Sequence, residues 1–245
     1  MPLFTIVTVC YNAADLLPDT IESVLSQSCS DMIEYIIIDG ASTDQTPQVL
    51  QRYKGRINQV VSEPDHGIYD AMNKGTRLAN GEYTLMLNAG DRLYSPETIR
   101  NVAERLKAHP ETRPDVVYGD VAKAGIVKKA EAPHNSHRMY FCHQCVFVRT
   151  DVLKCHPFDT HHHMSADFKL FKQLWAEHAV FLQLDIPIAH FDTHGVSNTQ
   201  RIKGIRDNIS VVKEIDHGYE RWKILSKLYI QVLLCQLRSC LKHKK

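Results

Sequence analysis

Four short apolar runs near the N-terminus, each stopping at a small, polar turn, constrain this chain more than any other feature. Phe4-Thr5-Ile6-Val7-Thr8-Val9 runs into Cys10-Tyr11-Asn12, and Tyr35-Ile36-Ile37-Ile38 into Asp39-Gly40-Ala41-Ser42-Thr43-Asp44. Gln59-Val60-Val61 runs into Ser62-Glu63-Pro64-Asp65, and the stretch from Tyr83 to Leu87 into Asn88-Ala89-Gly90-Asp91. Continuous apolar runs bounded in this way are how buried parallel strands read. Helical stretches separate them, about 15–27, 44–53 and 69–78. Strand and helix in alternation fold most economically into a mostly parallel sheet with right-handed crossovers. The polar strand ends then converge on one edge of that sheet, where open α/β folds bind ligands. A carboxylate held there, as Asp91 would be, suits a hard cation and the phosphates it carries.

The same residues carry a resemblance. Val7 to Asn12, Ile38-Asp39-Gly40-Ala41-Ser42-Thr43-Asp44-Gln45-Thr46 and Ala79 to Asp91 look like family 2 glycosyltransferases with the GT-A fold. Glu63-Pro64-Asp65-His66-Gly67-Ile68-Tyr69-Asp70-Ala71-Met72-Asn73-Lys74-Gly75 resembles a subgroup that builds bacterial surface polysaccharides. The likeness covers roughly residues 3–200, and its specificity lies in the order and spacing of the motifs. It implies an α/β GT-A fold, with a Rossmann-like, mostly parallel central sheet flanked by helices. The implied catalytic domain is 1–200, divided into a nucleotide-sugar half (1–92) and an acceptor and base half (93–200), followed by a C-terminal helical extension (201–245). The implied activity moves a sugar from a nucleoside diphosphate, UDP above all, to a hydroxyl of a glycan or lipid-linked glycan. A divalent metal, Mg²⁺ or Mn²⁺, is the implied cofactor.

Bulk properties agree. A chain of 245 residues supports one sizeable core. Its net charge of +1 sets up no field for nucleic acid. Met1-Pro2-Leu3 leads straight into a strand, so no signal peptide is expected. No apolar run approaches the ~20 residues of a membrane span. The seven scattered cysteines fit reduced thiols in a cytoplasmic protein better than a disulfide framework.

Individual residues divide by the chemistry expected of them. Asp39 ends the second strand, where its carboxylate can accept hydrogen bonds from a base or a ribose; the resemblance assigns it to the nucleotide. Asp44 sits at a helix start and reads better as a cap. Thr8, Cys10, Tyr11 and Asn12 follow the first strand, in the loop that cradles the nucleoside in the family; an ordinary turn with Asn in a left-handed conformation lies there on either reading. Asp70, Asn73 and Lys74 share one helix face by spacing. The resemblance makes them diphosphate or ribose ligands, whereas spacing alone describes a surface ion pair.

Asp91 is the metal candidate. The family pattern is acidic at several of the four positions from Asn88 to Asp91; this chain keeps only the last carboxylate, with Asn88 as a neutral oxygen ligand beside it. The resemblance makes Asp167, in Ser165-Ala166-Asp167-Phe168, the base that takes the acceptor's proton, while a helix cap is the other role for a residue just ahead of a helical repeat. One base suffices for a single displacement, so inversion is expected. His143 and Gln144 lie in a segment that lines the acceptor side in relatives; a satisfied core histidine is the alternative. A zinc reading of Cys142 and Cys145 fails because no second pair follows and a strand would point them to opposite faces. His161-His162-His163 reads as a loop, part of a mobile acceptor lid. His194 falls where relatives close a loop over the diphosphate.

The segment 219–245 carries seven Lys and Arg residues against the single acid Glu220, around an apolar helical core from Leu228 to Leu237. Basic flanks on an apolar helix suit the anionic inner face of the cytoplasmic membrane. Burial against the catalytic domain or in a dimer is the other reading. Two rival functions remain. A nucleotidyltransferase would need a Gly-rich basic loop after the first strand, which Cys10-Tyr11-Asn12-Ala13-Ala14 lacks. A non-catalytic nucleotide-sugar binder is consistent with the thinned acidic motif, although both Asp91 and Asp167 are retained.

Overall fold

The computed structural model describes residues 1–109, 111–193 and 200–242, with side chains as far as 237. β1 (Phe4–Cys10), α1 (Leu17–Leu25), β2 (Ile33–Asp39), α2 (Thr46–Arg52), β3 (Gln59–Ser62), α3 (Ile68–Leu78) and β4 (Tyr83–Met86) alternate as the sequence predicts. β5 (Arg92–Leu93), α4 (Thr98–Lys107), β6 (Val116–Lys123), β7 (Ile126–Lys128), β8 (Val146–Arg149), α5 (Thr150–Cys155), α6 (Ala166–Ala176) and β9 (Phe181–Phe191) follow. Two helices, α7 (Arg201–Ile215) and α8 (Gly218–Lys242), complete the described chain.

The strands form one sheet in the order β3-β2-β1-β4-β8-β6-β9-β5, with β7 paired to β6. β1, β2, β3 and β4 are parallel. Beyond β4 the sheet is mixed: β8 inserts antiparallel between β4 and β6, while β9 runs parallel to β6. Two reversals return β6 and β9 to the direction of β4. The C-terminal ends of β1, β2, β3, β4, β6 and β9 and the N-terminal end of β8 therefore share one edge.

Alternation along the central strands builds both faces of the core. Phe4, Ile6, Tyr35 and Ile37 pack on one side, and Val7, Val9, Ile36 and Ile38 on the other. Helix α3 lies so close to β1 that a Cβ on Gly75 would sit 2.3 Å from Val7 Cγ1; only a residue without one fits there. A third cluster joins Phe168 of α6 to Ile205, Ile209, Val211 and Val212 of α7 and to Ile224 and Leu228 of α8. The C-terminal helices thus rest on the helix that carries Asp167. No helix among the described residues is long and apolar enough to cross a membrane.

Candidate active site

Two carboxylates, Asp91 and Asp167, organise the common edge. Asp91 closes a turn after β4 in which its N–H donates to the Asn88 carbonyl at 3.0 Å. Gly90 has φ +99°, a conformation glycine adopts without steric cost. The Asp91 side chain is 3 % exposed and accepts the Asp192 N–H at 2.8 Å. Burial pushes its carboxyl up to about 6; the Asp192 N–H, the charge of His143 and the Gln144 side chain offset part of that rise. In the same turn, Asn88 Oδ1 is buried without a hydrogen-bond partner among the described residues. A buried acceptor left unpaired is costly. An ionisable carboxyl and an orphaned neutral oxygen three positions apart make a donor set that fits a hard cation such as Mg²⁺ or Mn²⁺.

Asp167 occupies the first turn of α6, and its own Oδ1 accepts the Phe168 N–H at 2.8 Å. The Tyr69 hydroxyl donates to it at 2.9 Å, and His143 Nδ1 lies 3.1 Å from Oδ2. His143 Nε2 sits 3.3 Å from Asn88 Nδ2, so one imidazole links the two carboxylate centres. Burial alone would raise the Asp167 carboxyl; the His143 hydrogen bond and charge, then the Phe168 N–H and the Tyr69 hydroxyl, hold it below the usual range. Burial would lower the His143 imidazolium, but Asp167 and Asp91 outweigh it and the net direction is up. The arrangement keeps Asp167 ionised, with its lone pairs fixed in direction.

His143 and Gln144 stand on a single 3₁₀ turn, His143–Cys145, ahead of β8. The expected strand at Cys142 and Cys145 is therefore a turn, closed by the Cys145 N–H on the Cys142 carbonyl at 2.9 Å. Among the described residues, one cluster has ligand atoms close enough together for a metal ion: Asp159, His162 and Glu214. It already holds a cation, because Lys169 Nζ pairs with both carboxylates. His162 is 3 % exposed, with Nδ1 2.9 Å from Asp207 and Nε2 3.0 Å from Glu214. The loop reading for 161–163 stands, but its middle residue is anchored to α7, which corrects the expectation of a mobile lid.

The residues expected on the nucleotide side lie in two groups. Asp39 is fully buried, and its oxygens accept the Ser42 hydroxyl and N–H and, at 2.6 Å, the Ser62 hydroxyl. Tyr11 is 62 % exposed, and its ring lies 3.4 Å from a Cβ built on Gly40, the residue after Asp39. Asn12, at φ +49°, accepts the Thr43 N–H at 2.9 Å and ties the loop after β1 to the loop after β2. Asp44 accepts the Thr46 N–H at 2.9 Å in an Asx turn ahead of α2; the N-cap is Gln45 and no side chain caps the helix, which corrects the expectation of a cap at Asp44.

Other candidates are committed elsewhere. The Thr8 hydroxyl is buried against Tyr35 at 3.0 Å. Asn73 both donates to the Phe158 carbonyl (2.8 Å) and accepts its N–H (2.9 Å), stitching α3 to the segment before α6. Lys74 pairs with Glu63 at 3.0 Å, donates to the Pro64 carbonyl at 2.6 Å and lies 3.8 Å from Asp70. His194 lies outside the described residues. The sequence reading did not single out Tyr69; its place one helical turn before Asn73, on the inward face of α3, was the available signal.

Known proteins share this pattern. Residues 5–175 match the family model described as Glycosyl transferase family 2. A PGL/p-HBAD biosynthesis glycosyltransferase of Mycobacterium bovis is 29 % identical over 208 residues, spanning 81 % of this chain and 80 % of that protein. Two solved structures share the fold. TarS 1-349 of S. aureus in complex with UDP superposes with a TM-score of 0.67 at 19 % identity, covering 94 % of this chain and 71 % of that one. The mannosyltransferase PcManGT of Pyrobaculum calidifontis, in complex with GDP-Man and Mn²⁺, gives 0.67 at 18 % identity, covering 95 % and 70 %. The architecture is the GT-A type.

Proposed function

The chain belongs to the family 2 glycosyltransferases, and from that premise we propose that it carries a sugar from a UDP-sugar to a hydroxyl of a cell-surface glycan or its lipid-linked precursor, with inversion. The observation that carries this reading is the pairing, across one imidazole, of a cation-seeking turn at Asn88–Asp91 with an ionised base at Asp167. Asp167 accepts the acceptor's proton as that oxygen attacks the anomeric carbon from the face opposite the diphosphate. Tyr69 and His143 hold its oxygens in place and keep water from competing for them.

Asp91 and Asn88 hold the divalent cation. When bound, it supplies charge stabilisation to the departing diphosphate. Exposed Tyr11 lies against the base, above the loops that Asn12 ties together and near buried Asp39. An arriving diphosphate competes with Glu63 and Asp70 for the Lys74 ammonium. Thr8 and Asn73 act one step removed, by fixing β1 and the segment before α6. That UDP and Mn²⁺ accompany solved structures of this fold supports the choice of donor and metal.

Helix α8 supports a membrane-surface site. Its inner face is buried through Ile224 and Leu228, whereas Tyr219, Trp222, Tyr229, Ile230, Leu233 and Leu237 form an exposed apolar stripe flanked by Lys223 and Lys227. A stripe of this kind rests on an anionic bilayer. Sedimentation with phosphatidylglycerol vesicles and not with phosphatidylcholine ones is expected; equal recovery in both supernatants rejects it.

The first experiment is thermal shift with UDP, with and without Mn²⁺, alongside slow hydrolysis of UDP-sugars without acceptor. A ligand that binds only the native state raises Tm by mass action. Metal-dependent stabilisation with measurable hydrolysis is expected. Stabilisation without any hydrolysis would leave a binding protein, and no stabilisation by any nucleoside diphosphate rejects the donor site.

A further inference from the structure

Beside the two carboxylates lies a groove of about 310 Å³ that the proposed chemistry does not use. It runs between the β6–β7 hairpin and the strap 129–142, and Phe191 lines it from β9. Four cations border it, Lys123, Lys128, Lys129 and Arg138, against one acid, Glu131. Lys129 pairs with Asp120 at 2.9 Å, and Arg138 with Glu131 at 2.7 Å. Asp185 also lies 3.8 Å from Lys129, so the uncompensated charge of the groove is confined to Lys123 and Lys128. No carboxylate among the described residues pairs with Lys123 or Lys128; Lys123 Nζ instead sits 4.4 Å over the Phe191 ring.

The groove opens at the catalytic edge. Lys123 is the last residue of β6, and its register partner is Phe191. The next residue, Asp192, donates its N–H to Asp91. On the other wall, Cys142 precedes His143, the partner of Asp167. The Cys142 thiol, pushed up to about 12 chiefly by burial and then by the charge of Asp91, also feels Asp167 and Lys123. The lining carries a second mark of a ligand. Tyr140 is 7 % exposed, yet its hydroxyl has no hydrogen-bond partner among the described residues. Phe191 gives half-buried apolar surface for a sugar ring, with the buried rings of Tyr140 and Phe141 packed behind it, and the unmet hydroxyl beside it is a ready donor or acceptor.

We propose that this groove is the acceptor channel and that its occupant is an acidic glycan, whose carboxylate or phosphodiester groups pair with Lys123 and Lys128 while a sugar ring lies on Phe191. The identification of the occupant as acceptor rests on the transferase reading; the charge preference rests on the groove alone.

The test compares hexagalacturonate, a glycerol-phosphate hexamer and neutral maltohexaose by calorimetry on the wild type and on Lys123→Gln/Lys128→Gln. UDP with Mn²⁺ is measured in parallel by thermal shift. Both lysines are accessible on or beside the edge hairpin, so folding is preserved. At least one acidic oligomer should bind about tenfold more tightly than maltohexaose, lose about tenfold in the double variant and weaken with salt. Which acidic oligomer wins tells carboxylate from phosphodiester. Equal binding of the neutral oligomer, or acidic binding untouched by the double substitution, overturns the proposal. Loss of the UDP shift in the variant also overturns it, because the lysines would then serve the donor. If UDP fails on the wild type while lysine-dependent acidic binding persists, the transferase reading falls and the groove stands as an acidic-glycan site.

Discussion

Asp91 and Asp167 stand on the same edge of one sheet, share the imidazole of His143 within their field, and are pushed in opposite directions. Asp91 has neutral donors and an orphaned amide oxygen for company, and burial drives its carboxyl up to about 6. Asp167 has the His143 ring, a helix N–H and a tyrosine hydroxyl, which together overcome burial and hold it down. The difference shows how a fold sorts two identical side chains into two roles. On the proposed reading, the first awaits a cation and the second, held ionised beside His143, accepts a proton.

The comparison breaks most visibly at Asp167. Asp167→Asn should lower glycosyl transfer by roughly 10²–10⁴-fold, the usual range for a positioned base. The UDP–Mn²⁺ thermal shift should persist, because the other site is intact. Loss of both together, in a folded variant, would mean that the two sites are not separable.

Asp91→Asn gives the second largest effect, with opposite signs for stability and binding. A carboxyl raised from 3.8 to about 6 in the folded state favours folding below 3.8, and that contribution is lost as pH rises through about 6. At pH 7 without metal the ionised carboxylate therefore costs up to about 3 kcal/mol, and Asp91→Asn should raise Tm there, with little difference near pH 4. The same variant should lose the metal-dependent UDP shift. In the wild type, metal affinity should weaken below about pH 6, because protons compete for the ligand. An unchanged Tm at pH 7 would show that Asp91 already has a compensating partner.

His143→Gln sharpens the contrast with the smallest expected change. Without the imidazolium, burial raises Asp167, so the acidic limb of the kcat/KM profile should move to higher pH, with a rate loss of about tenfold. The pair stabilises the fold above the lowered Asp167 value and below the raised His143 value, and the variant should lose that advantage within this window. An unmoved acidic limb would remove His143 from the control of Asp167.

The N-terminal half was legible because each of its signals is local. Strand ends at Cys10, Asp39 and Ser62, and helices near 17–25, 46–52 and 68–78, fall within about two residues of the expected boundaries. Asp91, Asp39 and Tyr11 were marked by standing where a buried strand stops. The C-terminal half was less legible, since its key pairings are long-range. Nothing near Tyr69 predicts a bond to a residue 98 positions away. Nothing near Asn73 predicts that its amide is spent on Phe158, and helical spacing alone left its partner open. Of the apolar helix near the C-terminus, the sequence left two readings open; the structure buries one face through Ile224 and Leu228 and leaves the other, with Trp222, Ile230 and Leu233, exposed.

By itself, then, the sequence determined the alternation of strand and helix, the parallel half-sheet and the polar strand ends that meet at one edge. These follow from periodicity and from where apolar runs stop, which a chain carries in its own order. Only the tertiary structure decided that β8 runs antiparallel beside β4. That reversal delivers His143 to the edge where β4 leaves Asn88, and sets its ring between the two carboxylates. Protonation balance depends on burial and on neighbours brought together from distant positions, and those exist only once the sheet has closed on its register.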